Sequence, residues 1–128
     1  MNEIILVVDD RVDTVNMLNF ALRDLGYVVM TASNGRECLD KVSKHKIDLI
    51  LLDMMMPGIS GETVLQKIRK DKKYNKTKII ILTAAKFTEP ERKKLMREGA
   101  QGFLGKPISI EALEKEMEKL LHKKCAKT

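Results

Sequence analysis

Several residues able to do chemistry sit where apolar runs stop. "ILVV" runs into Asp9-Asp10, "LILL" into Asp53, "IIIL" into Thr83 and "GFLG" into Lys106-Pro107. Three carboxylates brought within a few ångströms would repel one another. Two unit charges 4 Å apart cost about 4 kcal/mol at an effective dielectric of 20, and at least one pKa rises. A divalent cation and a lysine would relieve that cost. Asp9, Asp10 and Asp53 offer hard oxygens without a His or Cys cluster, which favours Mg2+ or Mn2+ over zinc. Mg2+ uses few carboxylates, which suits Asp10 and Asp53 with Asp9 helping through water. Asp53 then has the character of a carboxylate nucleophile toward phosphorus. The metal and Lys106 would stabilise charge on the equatorial oxygens, and Thr83 could donate its hydroxyl to one of them. "MMMPG" turns the chain away and leaves Asp53 accessible. Each residue alone has a plainer reading: Asp9 or Asp10 as a helix cap, Lys106 before proline as a turn residue.

What separates the two readings is whether the fold brings these strand ends together. Apolar runs at 4–8, 27–32, 47–53, 78–84 and 102–105 read as strands, the first nearly unbroken as in a strand buried on both faces. Between them, apolar residues recur at helical spacing: Leu18, Ala21, Leu22 and Leu25, then Cys38, Leu39 and Val42, then Val64, Leu65 and Ile68. Leu113, Met117, Leu120 and Leu121 mark the last helix. Gly26 supplies a left-handed stop, Asn34, Ser60, Thr88 and Ser109 are candidate caps, and a short helix runs from near Pro90 to Gly99. Strict βα alternation predicts an α/β fold: a doubly wound, five-stranded parallel sheet, order 2-1-3-4-5, with helices on both faces (flavodoxin-like). In that order the crevice lies outside the carboxyl ends of strands one and three, where these acids fall. "LVVDDRVD" lacks the glycines of a dinucleotide site.

The 128 residues fit one domain, with 1–124 as its body and 125–128 as a short basic tail. No apolar run is long enough for a membrane span, and "MNEIILVVDD" is not a signal peptide. Cys38 and Cys125 do not form a disulfide framework, which fits a cytoplasmic protein; Cys38 reads as a buried small hydrophobe and Cys125 as a tail thiol. His45 and His122 read as surface residues away from the acids. The net charge of +6 raises the question of nucleic acid, but the basic runs lack aromatic interleaving and read as solvated faces.

With "ILVVDD", "LILLDMMMPGISG", "IIILTA" and "GAQGFLGKPI" in order, the chain resembles the receiver domain of two-component response regulators, and in length the single-domain chemotaxis-type (CheY-like) members. The resemblance covers essentially the whole chain. It implies that Asp53 accepts phosphate from a sensor histidine kinase or histidine phosphotransfer protein. It implies that Asp9 and Asp10 bind Mg2+, that the Met55 backbone carbonyl completes the metal site, and that Lys106 pairs with the phosphate. Thr83 would be the switch hydroxyl, Phe103 the switch aromatic, and the Lys106–Pro107 bond cis. The surface of the fourth helix, fifth strand and fifth helix would control a downstream protein, with a phosphorylation-dependent dimer as one form of output. Kinase specificity would lie around Thr14–Leu22 and the turn near Pro57. Many relatives carry a polar side chain two residues past the acceptor; Met55 stands there, and Ala85 two past Thr83. Neither orients water, so self-dephosphorylation is expected to be slow, unless the methionines only cover apolar surface. Phe103 is either a switch or plain core. Three readings stay open: a phosphorylated switch, standing alone, cut from a larger regulator or relaying phosphate; an aspartate-nucleophile phosphatase, which wants a second acid where Met55 stands; and a phosphorylation-independent binding module.

Overall fold

The structure is a computed structural model that describes residues 3–84 and 87–121. The expectations for Ala85, His122, Cys125 and the 125–128 tail lie outside the described residues. Five strands, β1 (Ile4–Val8), β2 (Val28–Ala32), β3 (Leu49–Asp53), β4 (Lys78–Thr83) and β5 (Gly102–Gly105), alternate with five helices. The helices are α1 (Val12–Asp24), α2 (Gly35–Lys44), α3 (Gly61–Lys70), α4 (Glu89–Arg97) and α5 (Ile110–Leu121). The strands form one parallel sheet in the order β2-β1-β3-β4-β5. The expected fold is therefore the observed one, with strands two and three starting one and two residues later than the apolar runs.

Alternation along the strands divides the core in two. Ile5, Val7, Leu49, Leu51, Ile80 and Leu82 pack on one face beneath Leu18, Leu22 and Leu25 of the α1 arm and Leu113 and Met117 of α5. Leu6, Val8, Ile50, Leu52, Ile79 and Ile81 pack on the other beneath Cys38, Val42, Val64, Leu65, Ile68 and Leu95. Successive strand residues point to opposite faces, so an unbroken apolar run is what two covered faces require. Leu120 and Leu121 are only partly buried at the edge of the first cluster, and Leu39 at the edge of the second.

The helix starts are set by side-chain caps. Asn34 accepts from the Glu37 amide at 2.9 Å, Ser60 from Thr63 at 3.2 Å and Ser109 from Ala112 at 3.2 Å. Thr88 and Glu91 form a reciprocal capping box at the head of α4. Gly26 and Gly99, both at positive φ, follow the ends of α1 and α4. A 3-10 turn, Lys72–Tyr74, follows α3. No helix among the described residues is long and apolar enough to cross a membrane.

Candidate functional site

β1 and β3 are hydrogen-bonded neighbours while the chain goes from β1 to β2 on the opposite side, so the strand order reverses between them. Their carboxyl ends open a gap that no crossover covers, and Asp9, Asp10 and Asp53 stand there. Asp53 is the last residue of β3 and, against the expectation that the following turn leaves it accessible, only 3% exposed. The next amide, Met54, still donates to the Leu82 carbonyl at 3.1 Å, which holds the carboxylate at a rigid strand end. The Met55 amide donates back to Asp53 Oδ1 at 3.2 Å. The chain then leaves the sheet through Gly58 at φ 82, a conformation in which a side chain is strained. It enters α3 at Gly61. A Cβ at Gly61 would stand 2.4 Å from the Asp53 carbonyl oxygen, so only glycine lets the helix begin this close to the acid.

Asp9 is the buried partner. Its amide donates to the Ala32 carbonyl at 3.1 Å, and its Oδ1 accepts from the Arg11 amide at 2.9 Å. It does not cap α1, whose N-cap is Arg11 and has no side-chain cap bond. Its other oxygen, Oδ2, lies 2.6 Å from Lys106 Nζ. The same Nζ is 3.4 Å from Asp53 Oδ1. The ammonium group thus lies between two buried carboxylates. Its own backbone amide donates to the Thr83 carbonyl at 2.8 Å, tying the ends of β4 and β5 together. The Lys106–Pro107 peptide that follows is cis. Thr83, buried, pairs with Gly105 across the ladder. Asp10 is exposed, and one oxygen from each of Asp9, Asp10 and Asp53 falls within 4.8 Å of the others.

Burial is the main force pushing the Asp53 carboxyl above the usual carboxylate range, and the neighbouring Asp9 charge adds to it. The Met55 amide and Lys106 pull the other way without cancelling the rise. One lysine for three carboxylates leaves net negative charge. Three hard oxygens, one of them on an exposed residue, suit a divalent cation of the Mg2+ type.

Phe103 on β5 is half-buried. Its ring meets Phe87 edge-on, with centroids 5.9 Å apart at 83°, and the Arg92 guanidinium of α4 sits 4.6 Å from the ring centroid. Sequence reading missed both neighbours. The available signal was the capping box: Phe87 immediately precedes the Thr88 cap and Arg92 follows Glu91 of the box, so both stand at the head of α4. Met55 is exposed, Cys38 is fully buried with its thiol pushed up to about 12 by desolvation, and His45 is exposed.

The chain matches the response regulator receiver domain family over residues 5–118. It is 35% identical over 123 residues to the alkaline phosphatase synthesis transcriptional regulatory protein PhoP of Bacillus subtilis, covering 96% of this chain and 50% of that protein. It is 36% identical over 124 residues to the hybrid signal transduction histidine kinase D of Dictyostelium discoideum, covering 97% of this chain and 8% of that one. It thus spans half or less of these two relatives. Among solved structures, the chemotaxis response regulator CheY4 of Vibrio cholerae superposes with a TM-score of 0.85 at 36% identity, covering 94% of this chain and 99% of that one. Family match, sheet order and acidic switch point agree along nearly the whole length, and the chain belongs to the response regulator receiver domain family of two-component signalling.

Proposed function

We propose that Asp53 is the phosphoryl acceptor of this receiver domain and that phosphorylation there switches its contact with a protein partner. The observation that carries the reading is the position of Lys106 Nζ, 2.6 Å from Asp9 and 3.4 Å from Asp53, beside three clustered carboxylates. Both the Lys106 contact and the Met55 amide fall on Asp53 Oδ1, which leaves Oδ2 for attack. In the step itself the Oδ2–P bond forms. The P–N bond of a donor phosphohistidine, or the P–O bond of acetyl phosphate, breaks, and the electron pair leaves with the donor atom. Asp10 and Asp53 would hold Mg2+, with Asp9 and the Met55 carbonyl completing the set. The bound ion would supply positive charge against the phosphoryl oxygens. Lys106 pairs with one of those oxygens and Thr83 donates to another. Phe103, held between Phe87 and Arg92, is the aromatic that responds on the α4–β5–α5 surface.

The domain thus catalyses its own phosphorylation and slow dephosphorylation and needs no separate substrate pocket. Its donor is a histidine kinase or phosphotransfer protein, recognised through α1 around Thr14–Leu22 and the Pro57 turn, in the cytoplasm. Its output is a protein contact, which includes a phosphorylated dimer. Intact mass after incubation with acetyl phosphate and Mg2+ tests the reading. One phosphoryl group is expected on the wild type and none on Asp53→Asn or without Mg2+; equal labelling of Asp53→Asn would overturn it. After donor removal, the same samples report decay. Met55→Asn is expected to lose its phosphoryl group about tenfold faster, since a polar side chain there can orient water.

A further inference from the structure

The excess of basic over acidic residues in this chain falls in one segment. Residues 67–78 hold seven of the 24 basic residues and one of the 18 acidic ones, leaving seventeen of each elsewhere. One twelve-residue segment therefore accounts for the whole net charge of +6. It runs from the end of α3 through the 3-10 turn to the start of β4, at the amino edge of the sheet. Asp53 lies at the opposite edge, one strand length away, about 16–20 Å.

The segment borders a recess of about 400 Å3. Lys73, Tyr74 and Lys76 line it from one side, and Lys44, His45 and Lys46, between α2 and β3, line it from the other. Helix dipoles explain part of this charge: Lys44, Lys67 and Lys70 lie in the last turns of α2 and α3. They do not explain Lys46 and Lys76, which lie past the helix ends. Lys44 is paired with Asp40 at 3.2 Å, whereas among the described residues Lys46, Lys73 and Lys76 are exposed and in no ion pair. Asp48, the acid in the recess, is occupied by the Ile4 amide at 2.8 Å. The segment's single arginine, Arg69, spends its guanidinium on carbonyls inside the fold. The outward charges are thus lysine ammoniums, compact point charges suited to phosphate, without the planar fork that selects carboxylates. The concavity favours an anion small enough to enter; a bilayer or a duplex would meet only the rim. Its volume is within the range of small-ligand sites.

We propose that this recess is a second binding site, for a compact polyphosphate anion, free or carried by a nucleotide. The site is independent of the Asp53 reading. The test is calorimetric titration of the full chain with sodium tripolyphosphate and, separately, ATP, at low salt without Mg2+. Binding at one site is expected, unchanged in Asp53→Asn and weakened at least about tenfold in the triple variant Lys46→Gln/Lys73→Gln/Lys76→Gln, where only exposed charges change. Affinity is expected to fall severalfold as ionic strength rises from about 0.05 to 0.2 M. The His45 ring-proton signals, identified as those absent from His45→Gln, are expected to shift with the same midpoint. Tighter binding of ATP, with the difference erased by Tyr74→Leu, would assign the nucleotide source; equal affinity would assign the phosphate chain alone. No saturable binding, wild-type binding by the triple variant, or equal binding of citrate would overturn the proposal.

Discussion

The two edges of the sheet treat charge in opposite ways. At the carboxyl edge, Asp9 and Asp53 are buried and Lys106 is wedged between them. At the amino edge, lysines outnumber acids and most stand in water. The first arrangement is held by rigid backbone: strand ends, the Met54–Leu82 bond and the close approach of Gly61. The second is held by little beyond the elements that carry it. Buried charge is coupled to folding, whereas exposed charge is available to partners at small structural cost.

The comparison breaks most visibly if Lys106 is removed. Lys106→Met leaves two buried carboxylates facing each other without their cation. A loss of about 2–4 kcal/mol in urea unfolding at pH 7 is expected. The loss is expected to shrink at acidic pH, where Asp53, whose pKa burial raises, takes up its proton. Equal losses at both pH values would mean that packing, and not charge, is what Lys106 supplies.

Arg69 sharpens the contrast, because it is an amino-edge cation that behaves like a carboxyl-edge one. Half-buried, it donates to the carbonyls of Gly99, Tyr74 and Thr77 and to Gln101 Oε1, with distances of 2.7–3.1 Å. Gln101 Oε1 in turn accepts from the Ile79 amide at 3.0 Å. Burial alone pulls its pKa below the ordinary guanidinium value, but no nearby titration follows from that. Arg69→Met strands several acceptors, and a loss of about 2 kcal/mol is expected, with little recovery in Arg69→Lys, which lacks the fork. Full recovery by lysine would reduce Arg69 to a surface charge.

These two residues also mark how far the sequence could be read. The elements were legible because their periods are unmixed: two covered faces need unbroken apolar strands, and Asn34, Ser60 and Thr88 stand where caps must be. The gathering of Asp10, Asp53, Thr83 and Lys106 followed from strand order alone. Asp9 was only half legible. A carboxylate after a strand reads as a metal ligand or a cap, and its pairing with Lys106 spans 97 residues. Arg69 was illegible for another reason. Its partners are mostly backbone carbonyls, which every residue has, so no residue type announces them. Phe103 stayed ambiguous because its ring is met by Phe87, just before α4, and by Arg92 within it, two residues that belong to no apolar period.

A smaller effect is expected at Asp53, and its sign discriminates best. Asp53's pKa is raised in the folded chain, chiefly by burial and then by Asp9. Below the ordinary carboxylate value, both folded and unfolded chains hold the proton and Asp53 costs nothing. As pH rises, the unfolded chain releases its proton first, and the folded chain must ionise a buried group beside a like charge. Asp53 therefore costs stability above its folded pKa, and the cost disappears as pH falls toward the unfolded value. Asn never ionises. Asp53→Asn, measured with a chelator present, is expected to be more stable than wild type at pH 7, with a gap that closes on acidification. Added Mg2+ should stabilise the wild type more than the variant, by mass action on the intact acid cluster. Lys76→Gln at the other edge should move stability by under about 0.5 kcal/mol at either pH. A wild type more stable than Asp53→Asn at pH 7 would mean that the Lys106 and Met55 contacts outweigh burial. The acceptor would then be a stabilised ion and not a strained one, and the carboxyl edge would owe its reactivity to position alone.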